Sequence, residues 1–357
     1  MHPTIQAFGW DDAWESAAIA YRSREWEPAR VVCRQLKQYT LSTAAGSQSA
    51  TLSGRFLHGA QPDELPVTGD WVMVQRKGAD LVIQALLPRR SSFARKPAIS
   101  GGRRLKHGRV EGGSTVAQVL AANIDTAFLV SALDGNFNTG RIERYLTVAA
   151  GSGAAAVLLL NKADLCDDPK PYIEQLTRIA PDIPVCLLSM KSGQGLEALH
   201  AWLRPSATVV FLGSSGVGKS TIINALFGEQ RQSTGEVNAT HGKGRHTTTR
   251  AELLRHDSGV LLIDTPGLRE LQLWCEEDAV DDVFADVAAL AALCRFHDCN
   301  HRTEPGCAIR QAIGEGRLSP QRLESFRRLD GEVRRLEARK KQYAIAMGRK
   351  QKQRPQE

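Results

Sequence analysis

Short apolar runs, each followed by a polar or glycine-containing segment, recur through the middle of the chain. They cover residues 154–160, 184–188, 208–212 and 259–263. Continuous apolar runs of this length are typical of buried parallel strands. Helical apolar spacing follows the third run, at residues 221–227. The pattern therefore predicts an α/β domain built on a parallel sheet.

Shorter apolar alternations precede this region, between residues 29 and 87. They lie at Val31-Val32, 51–57, 71–74 and 81–83, with glycine or charged residues between them. This pattern predicts a small β-barrel, and it does not distinguish an OB-fold from an SH3-like barrel. Trp10, Trp14 and Tyr21 lie upstream and predict a short helix that packs on the barrel.

Apolar residues return at helical spacing near the C-terminus. Leu323, Phe326, Leu329, Val333 and Leu336 share this spacing, and the arginines between them are Arg322, Arg327, Arg328, Arg334 and Arg335. Residues 316–357 contain thirteen Lys/Arg and five Asp/Glu, against a net charge of +7 for the whole chain. We therefore expect a basic amphipathic helix.

A second basic block lies between residues 88 and 110, which contain no acidic residue. Its members are Arg89, Arg90, Arg95, Lys96, Arg103, Arg104, Lys106 and Arg109. A charge run is usually a solvated surface. Two such blocks in a chain of pI 9.1 favour RNA contact instead.

The apolar run at 208–212 leads into the pattern G-x-x-x-x-G-K-[ST]. Its residues are Gly213, Ser214, Ser215, Gly216, Val217, Gly218, Lys219 and Ser220, and Thr221 follows. Between a strand and a helix, this is the P-loop that cradles nucleotide phosphates with its backbone N–H groups. Lys219 would contact the β- and γ-phosphates, and the Ser220 hydroxyl would bind Mg²⁺. The alternative is a glycine-rich turn before an amphipathic helix.

The pattern N-K-x-D stands earlier in the chain, after the run at 154–160. Asn161, Lys162 and Asp164 would lie at the carboxyl edge of the sheet, where ligands of open α/β sheets bind. A carboxylate there can accept hydrogen bonds from guanine N1–H and the 2-amino group, which adenine lacks. This motif normally follows the P-loop, so the reversed order indicates a circularly permuted GTPase. Ser189 and Lys191, after the run at 184–188, resemble the loop that packs against guanine, although a plain strand exit is equally compatible.

The run at 259–263 leads into the D-x-x-G pattern of GTPases. Asp264 would hold Mg²⁺, and the Gly267 N–H would sense the γ-phosphate. The intervening polar segment offers Thr248, or else Thr247, to complete the Mg²⁺ shell. Leu268 follows Gly267 where Ras-like enzymes carry the glutamine that positions water. His246 is the nearby side chain with suitable chemistry, because a neutral imidazole can accept a proton from water.

Three of the seven cysteines cluster with a histidine near the C-terminus. Cys294, Cys299, His301 and Cys307 would form a closed tetrahedral site for one structural Zn²⁺. The alternative is a set of reduced, buried cysteines. His297 also falls inside this segment, and we expect it to stay outside the ligand set.

These motifs together resemble the circularly permuted ribosome small subunit-dependent GTPase A family over nearly the whole chain. The segment from Gly244 to Thr249, the motif order and the zinc segment carry the resemblance. It implies an N-terminal OB-fold, a central permuted GTPase and a small α-helical zinc-binding domain, with action late in small-subunit assembly. In that family the histidine that aligns with His246 is implicated in GTP hydrolysis.

The sequence thus predicts four segments: an extension (1–27), a barrel with a basic loop (28–115), a permuted GTPase domain (116–275) and a zinc-binding domain with a basic helix (276–357). We expect GTP and GDP, the small ribosomal subunit and its rRNA as partners. No apolar run reaches the length of a membrane span and no signal peptide is evident, so we expect a cytoplasmic protein without membrane contact. We also expect it to be a monomer. The alternatives are a P-loop phosphotransferase or other NTPase, or an RNA-binding scaffold without ribosome coupling.

Overall fold

The computed structural model describes residues 2–36, 38–78, 80–95, 118–135, 137–227, 251–264 and 277–351. His246, Thr247, Thr248 and Gly267 lie outside these ranges, as does most of the basic block. None of the helices found in the described ranges is both long and apolar enough to cross a membrane.

Five strands close into a barrel in the order β1-β2-β3-β5-β4-β1, with β3 parallel to β5 and the other pairs antiparallel. The strands are β1 (Glu27–Gln35), β2 (Gln38–Thr43), β3 (Gly46–Leu52), β4 (Trp71–Lys77) and β5 (Asp80–Leu86). Alternate residues of β5 are buried, as period-two patterning requires. Leu81 and Ile83 lie in the barrel core, whereas Ala85 belongs to the cluster that contains Trp10 and Trp14. The predicted OB-like barrel is confirmed.

One predicted strand of the barrel is wrong in part. Of residues 51–57, only the first two belong to β3, and helix α3 (Gly54–Gly59) begins after Ser53. Phe56 packs against the barrel core from this helix. The apolar residues therefore cover the end of the barrel instead of extending a strand.

The N-terminal residues form α1 (Pro3–Gln6), α2 (Asp12–Ala18) and a 3-10 helix (Ile19–Arg24). Trp10 and Trp14 are both 4% exposed. Their rings lie 4.8 and 6.2 Å from that of Trp71 in β4. The expected packing of this segment on the barrel is confirmed.

A six-stranded sheet follows, in the order β10-β9-β8-β11-β13-β12, with all strands parallel except β12. Its strands are β8 (Thr126–Ala132), β9 (Ala155–Asn161), β10 (Val185–Leu187), β11 (Thr208–Leu212), β12 (Glu252–Arg255) and β13 (Leu261–Asp264). A two-stranded ribbon of β6 (Ser92–Arg95) and β7 (Gln118–Ala122) precedes them. β12 also pairs with β1 of the barrel, so one hydrogen-bonded sheet runs through both units.

Helices cover both faces of the parallel sheet, which explains why its strands are continuous apolar runs. α6 (Leu196–His200) and α7 (Lys219–Phe227) contribute to the core on one face. The other face packs against α4 (Thr139–Ser152), α5 (Lys170–Ile179), α8 (Glu277–Val283), α9 (Ala285–Ala291), α10 (Ala308–Gly314) and α11 (Pro320–Gln351). The C-terminal helices therefore share a core with the α/β unit.

Helix α11 confirms the predicted helical spacing. Leu323, Leu329 and Val333 are buried by 95% or more, and Phe326 packs against Phe284 with ring centroids 5.6 Å apart. Arg322 contradicts the expectation that the intervening arginines face RNA, because it is only 6% exposed. Internal carboxylates surround this arginine, as described below.

Arg89 and Arg90, at the start of the second basic block, also pair with carboxylates of this chain. Arg89 forms a salt bridge of 2.8 Å to Asp70, whose side chain is fully buried. Arg90 forms two hydrogen bonds to the Asp11 carboxylate, at 2.6 and 2.7 Å, and lies over the Trp14 ring. These two arginines form contacts within the chain, Arg89 to Asp70 and Arg90 to the N-terminal segment, instead of belonging to a phosphate-binding loop.

Candidate nucleotide-binding and metal-binding sites

The P-loop lies between β11 and α7, as its sequence pattern predicts. Lys219 is the first residue of α7 and is 9% exposed. Its ammonium group donates hydrogen bonds to the carbonyl oxygens of Gly213 (2.7 Å) and Ser214 (2.6 Å). The lysine thus folds back across the loop whose N–H groups would receive phosphate oxygens. Ser215 and Gly216, at the tip of the loop, are exposed.

The guanine motif packs directly against this loop. Asn161, the last residue of β9, donates a hydrogen bond of 2.9 Å from Nδ2 to the carbonyl oxygen of Val217. A Cβ atom on Gly218 would overlap this amide, so the contact requires glycine at that position. Asn161 Oδ1 is buried without a hydrogen-bond partner among the described residues, an unmet acceptor that a ligand could satisfy.

Asp164 is exposed at the carboxyl edge of the sheet, where its second oxygen can face a base. Its Oδ1 accepts a hydrogen bond of 2.6 Å from Ser189 Oγ. Ser189 itself is fully buried, and its hydroxyl also receives the N–H of Ser192 at 3.2 Å. The structure brings Ser189 to the predicted base-binding carboxylate. Lys191, two residues on, is exposed.

Lys162 has a left-handed backbone conformation, with φ of 62°. Its ammonium group pairs with Asp134 at 2.6 Å. Asp134 follows β8, whose carboxyl end lies next to that of β9. We did not single out Asp134 from the sequence. Its place directly after an apolar strand, at the edge where ligands bind, is the signal that could have found it.

The proposed magnesium ligands are described in part. Ser220 lies in the first turn of α7, and Asp264 ends β13, the strand beside β11. Thr221 is exposed on the same turn of α7 as Ser220. A hydroxyl and a carboxylate at this edge suit Mg²⁺, which prefers oxygen ligands. Thr248 and the alternative Thr247 lie outside the described residues, as do His246 and Gly267.

The four predicted zinc ligands converge near the C-terminus. The candidate ligand atoms of Cys294, Cys299, His301 and Cys307 all lie within 4.8 Å of one another. Sγ of Cys294 lies 3.9 Å from Sγ of Cys307, and each lies 3.6 Å from Nδ1 of His301. Sulfur atoms about 2.3 Å from a tetrahedral zinc ion would be separated by about 3.8 Å. The donors therefore fit one zinc ion, and His297 stays exposed outside them as expected.

Helix α11 contacts the loop that carries the zinc ligands, residues 292–307, which we call the zinc loop. Arg327 donates hydrogen bonds to the carbonyl oxygens of His301 (2.7 Å) and Asn300 (3.2 Å). Burial lowers the pKa of His301, and the charge of Arg327 lowers it further. Both effects favour the neutral imidazole, which is the form that binds zinc. Among the remaining described cysteines, Cys33 is buried, and Cys166 and Cys186 are half-buried.

A buried ion-pair network joins the C-terminal helices to the α/β unit. Arg322 of α11 pairs with Glu143 of α4 at 2.8 Å, where both side chains are at most 6% exposed. Its guanidinium also pairs with Asp286 of α9 at 2.8 Å and lies over the Phe284 ring. Burial alone would lower the pKa of Arg322, but hydrogen bonds to Asp286 and Glu143 outweigh burial and raise it. The arginine is therefore a charged link between three helices.

Comparison with known proteins places this geometry in a family. Residues 87–274 match the family model described as RsgA GTPase. A small ribosomal subunit biogenesis GTPase RsgA from Opitutus terrae is 47% identical over 92% of this chain and 89% of its own length. A protein of the same name from Syntrophotalea carbinolica is 43% identical over 92% of this chain and 89% of its own length.

Two solved structures share the fold. YjeQ from Thermotoga maritima has a TM-score of 0.61 and 24% identity, covering 86% of this chain and 98% of that one. YloQ, a circularly permuted GTPase, has a TM-score of 0.56 and 22% identity, covering 88% of this chain and 97% of that one. In this chain a closed barrel comes first, the guanine motif precedes the P-loop, and a Cys3His cluster follows both. With this order and these matches, the chain belongs to the RsgA GTPase family.

Proposed function

We propose that this protein hydrolyses GTP to GDP and phosphate while bound to the small ribosomal subunit during its biogenesis. The observation that carries the proposal is the contact between Asn161 and the Val217 carbonyl, since it joins a guanine-type motif to a phosphate-type loop. The relatives named as small ribosomal subunit biogenesis GTPases supply the partner. A scaffold that only bound RNA would not need this junction.

In the proposed site each group has a separate role. Asp164, held by Ser189, accepts from N1–H and the 2-amino group of guanine. The P-loop backbone from Gly213 to Ser220, with the Lys219 ammonium, binds the phosphates. Ser220, Asp264 and Thr248 would hold Mg²⁺, which would neutralise the charge that develops on the phosphate oxygens. Gly267 would contact the γ-phosphate through its N–H.

Water attack on the γ-phosphorus breaks its bond to the bridging oxygen, and GDP leaves with that oxygen. We assign the orientation of this water to His246, because Leu268 occupies the position of the usual glutamine. Binding of the subunit would place His246 and so stimulate a slow intrinsic reaction. Hydrolysis would then release the subunit through the segment that joins Gly267 to the zinc-binding helices.

The finer assignments follow from this proposal. The segments 1–27, 28–115, 116–275 and 276–357 act as extension, barrel, GTPase and zinc-binding units. The rRNA phosphates would be contacted by the basic residues from Lys96 to Arg109 and by those at the C-terminal end of the chain. This contact would not require Arg89, Arg90 and Arg322, which pair with carboxylates of this chain. We propose that the protein works as a monomer in the cytoplasm, without membrane contact, where subunits are assembled.

The first test measures GTP and ATP hydrolysis with and without purified small subunits. We expect GTP-selective turnover that the subunits strongly stimulate. Replacement His246→Ala should reduce the stimulated rate about a hundredfold, the scale of general acid–base assistance, and leave GTP affinity within about twofold. His200→Ala, an exposed histidine of α6, is the control and should change neither quantity.

Two results would contradict the proposal. Turnover that accepts ATP, or that ignores the subunits, would remove the ribosome-coupled assignment. A loss of GTP binding in His246→Ala equal to the loss of hydrolysis would remove the role given to this histidine.

A further inference from the structure

The first turn of α4 reaches the P-loop through one arginine. Arg141 Nη1 donates a hydrogen bond of 2.9 Å to Ser214 Oγ. Ser214 is the second residue of the P-loop pattern, and Arg141 belongs to none of the motifs described above. The Asn138 side chain caps the same turn by accepting from the Arg141 N–H at 2.9 Å. The Asn138 cap thus holds the backbone of Arg141, and the contact with Ser214 holds its guanidinium group.

Ser214 is held from two directions. Its carbonyl oxygen accepts from Lys219 Nζ at 2.6 Å, and its hydroxyl accepts from Arg141. Lys219 would be drawn towards phosphate once a nucleotide binds, since the P-loop lysine contacts the β- and γ-phosphates. The contact to Arg141 involves only the serine side chain and can persist in both states. Arg141 is therefore placed to hold the start of the loop when Lys219 turns to its ligand.

Helix α4 provides a rigid base for this contact. Glu143, two residues after Arg141, forms the buried pair with Arg322 at 2.8 Å. A Cβ atom on Gly140 would lie only 3.0 Å from Arg328 Nη2 and 3.1 Å from Ser325 Oγ, so α4 and α11 pack closely at this turn. Close packing on α11 thus restricts the backbone next to Arg141.

We propose that Arg141 is a positioning residue for the phosphate-binding loop, acting through Ser214 without contacting the nucleotide. The inference rests on the proposed nucleotide site. A loop that is already fixed in its binding conformation loses less conformational entropy when phosphate binds. Arg141 should therefore strengthen the binding of GDP and GTP alike and have no part in the chemical step.

The test measures GDP and GTP affinity of the full chain by fluorescence titration, together with the GTP hydrolysis rate at saturating nucleotide. Arg141→Met should weaken both affinities about three- to tenfold, the range for one hydrogen bond, and leave the saturated rate unchanged. Arg141→Lys should recover part of the loss, since an ammonium group can also donate to Ser214. Arg141 is exposed, so neither variant removes packed core atoms.

A double-mutant cycle with Ser214→Ala tests whether Arg141 affects nucleotide binding through the Ser214 hydroxyl. If Arg141 acts through the serine hydroxyl, the double variant binds no more weakly than either single one. The matched control is Arg144→Met, three residues further along α4, because Arg144 pairs with Glu332 of α11 at 2.7 Å instead of contacting the P-loop. This control should bind both nucleotides as the unmodified protein does.

Three outcomes would overturn the inference. The first is unchanged affinity in Arg141→Met, and the second is full additivity with Ser214→Ala. The third is a loss for GTP alone, which would mean that the guanidinium contacts the γ-phosphate directly. Failure of the unmodified protein to bind either guanine nucleotide would instead contradict the proposed function, so the two failures are distinguishable.

Discussion

At the scale of single residues, base recognition in the proposed site depends on the Ser189 hydroxyl, which orients Asp164. It is fully buried, and it donates to Asp164 Oδ1 at 2.6 Å. A hydrogen bond to a charged acceptor is stronger than one between neutral groups. The serine therefore restricts the carboxylate to one orientation before a base arrives.

Replacement of this serine tests that role. We expect Ser189→Ala to weaken GTP binding by about 1–2 kcal/mol, because the exposed Asp164 carboxylate loses its orienting donor. Isothermal titration with GTP measures the loss. Ser192→Ala, in the same turn, is the control, since the Ser192 hydroxyl receives only the Gln194 N–H at 3.4 Å among the hydrogen bonds found in the described chain. Equal losses in both variants would assign the effect to the turn as a whole.

Asp11 provides a pH-dependent contact at the same scale. Its hydrogen bond from Arg90 lowers the pKa of Asp11 below the usual value of 3.8. The folded state therefore favours the ionised form. The stabilisation is complete above pH 3.8 and is lost as the pH falls through the folded-state pKa. Both side chains are more than 40% exposed, so the contribution is small.

Asp11→Asn isolates this charge, because asparagine keeps the N-terminal cap that Asp11 provides to Trp14 N–H. We expect the free energy of unfolding at pH 7 to fall by about 0.5 kcal/mol. The difference from the unmodified protein should shrink below pH 3.8. Urea unfolding at several pH values measures it, with the exposed neighbour Asp12→Asn as control. A difference that persists at low pH would mean that the cap, and not the charge, is responsible.

At the scale of elements, we expect the zinc loop, residues 292–307, to depend on its metal for its shape. Cys294 and Cys299 precede α10, Cys307 immediately precedes it, and no regular element lies between residues 292 and 307. The buried Cys307 belongs to the main core of the α/β unit. Zinc would therefore connect a loop without regular secondary structure to that core.

Removal of the metal should loosen this loop. We expect the purified protein to contain one equivalent of zinc by elemental analysis, and Cys299→Ser to lose most of it. Chelation should lower the midpoint of thermal unfolding by several degrees, because metal binding contributes to folding. Cys166→Ser, a half-buried cysteine outside the cluster, should retain the metal. Full zinc retention in Cys299→Ser would remove that residue from the ligand set.

The strands around the site were predictable because each is a short apolar run that ends at a motif. Residues 208–212 were predicted as the strand before the P-loop, and β11 has those bounds. Asn161 was expected at the C-terminal end of its strand, and it is the last residue of β9. Local sequence suffices in these cases because a buried parallel strand must be apolar on both faces.

Charged residues with distant partners were not predictable in the same way. Arg322 and Glu143 are 179 positions apart, and neither is marked by local sequence as part of a buried pair. Arg89 similarly depends on Asp70, and Arg141 on Ser214. Periodicity identifies a helix and its apolar face, but the partner of a charge depends on how elements pack. For this reason the sequence did not separate Arg89, Arg90 and Arg322, which pair within the chain, from the basic residues expected to contact RNA.

At the scale of the whole molecule, two buried arginines join its parts. Arg30 of β1 is 2% exposed and donates to the carbonyl oxygens of Phe8, Gly69 and Asn123 and to Thr208 Oγ1. These acceptors belong to the N-terminal segment, the barrel, the connection after β7 and strand β11. Burial lowers the pKa of Arg30 to about 10, so it remains charged at neutral pH. Arg322 has the corresponding position between the α/β unit and the C-terminal helices.

Loss of the Arg322 link should be costly. Arg322→Met leaves Glu143 buried without its cation, and we expect the free energy of unfolding to fall by about 3–5 kcal/mol. Adding Glu143→Gln should recover part of this loss, because it removes the unpaired charge. Denaturant unfolding measures both, and Arg144→Met, which breaks a half-buried pair at the surface, should cost at most about 1 kcal/mol. A double variant less stable than Arg322→Met would argue against charge burial as the cause.

The strand order also determines the sequence in which the sheet can form during synthesis. Within the six-stranded sheet, β8, β9 and β10 leave the ribosome before β11, which is the strand that pairs with the other edge of β8. All seven residues of β8 are buried in the finished protein. Until residues 208–212 emerge, that edge has no strand to pair with, a condition that favours aggregation. The nascent chain would thus contain the residues of the proposed base-binding half of the site before those of the proposed phosphate-binding half.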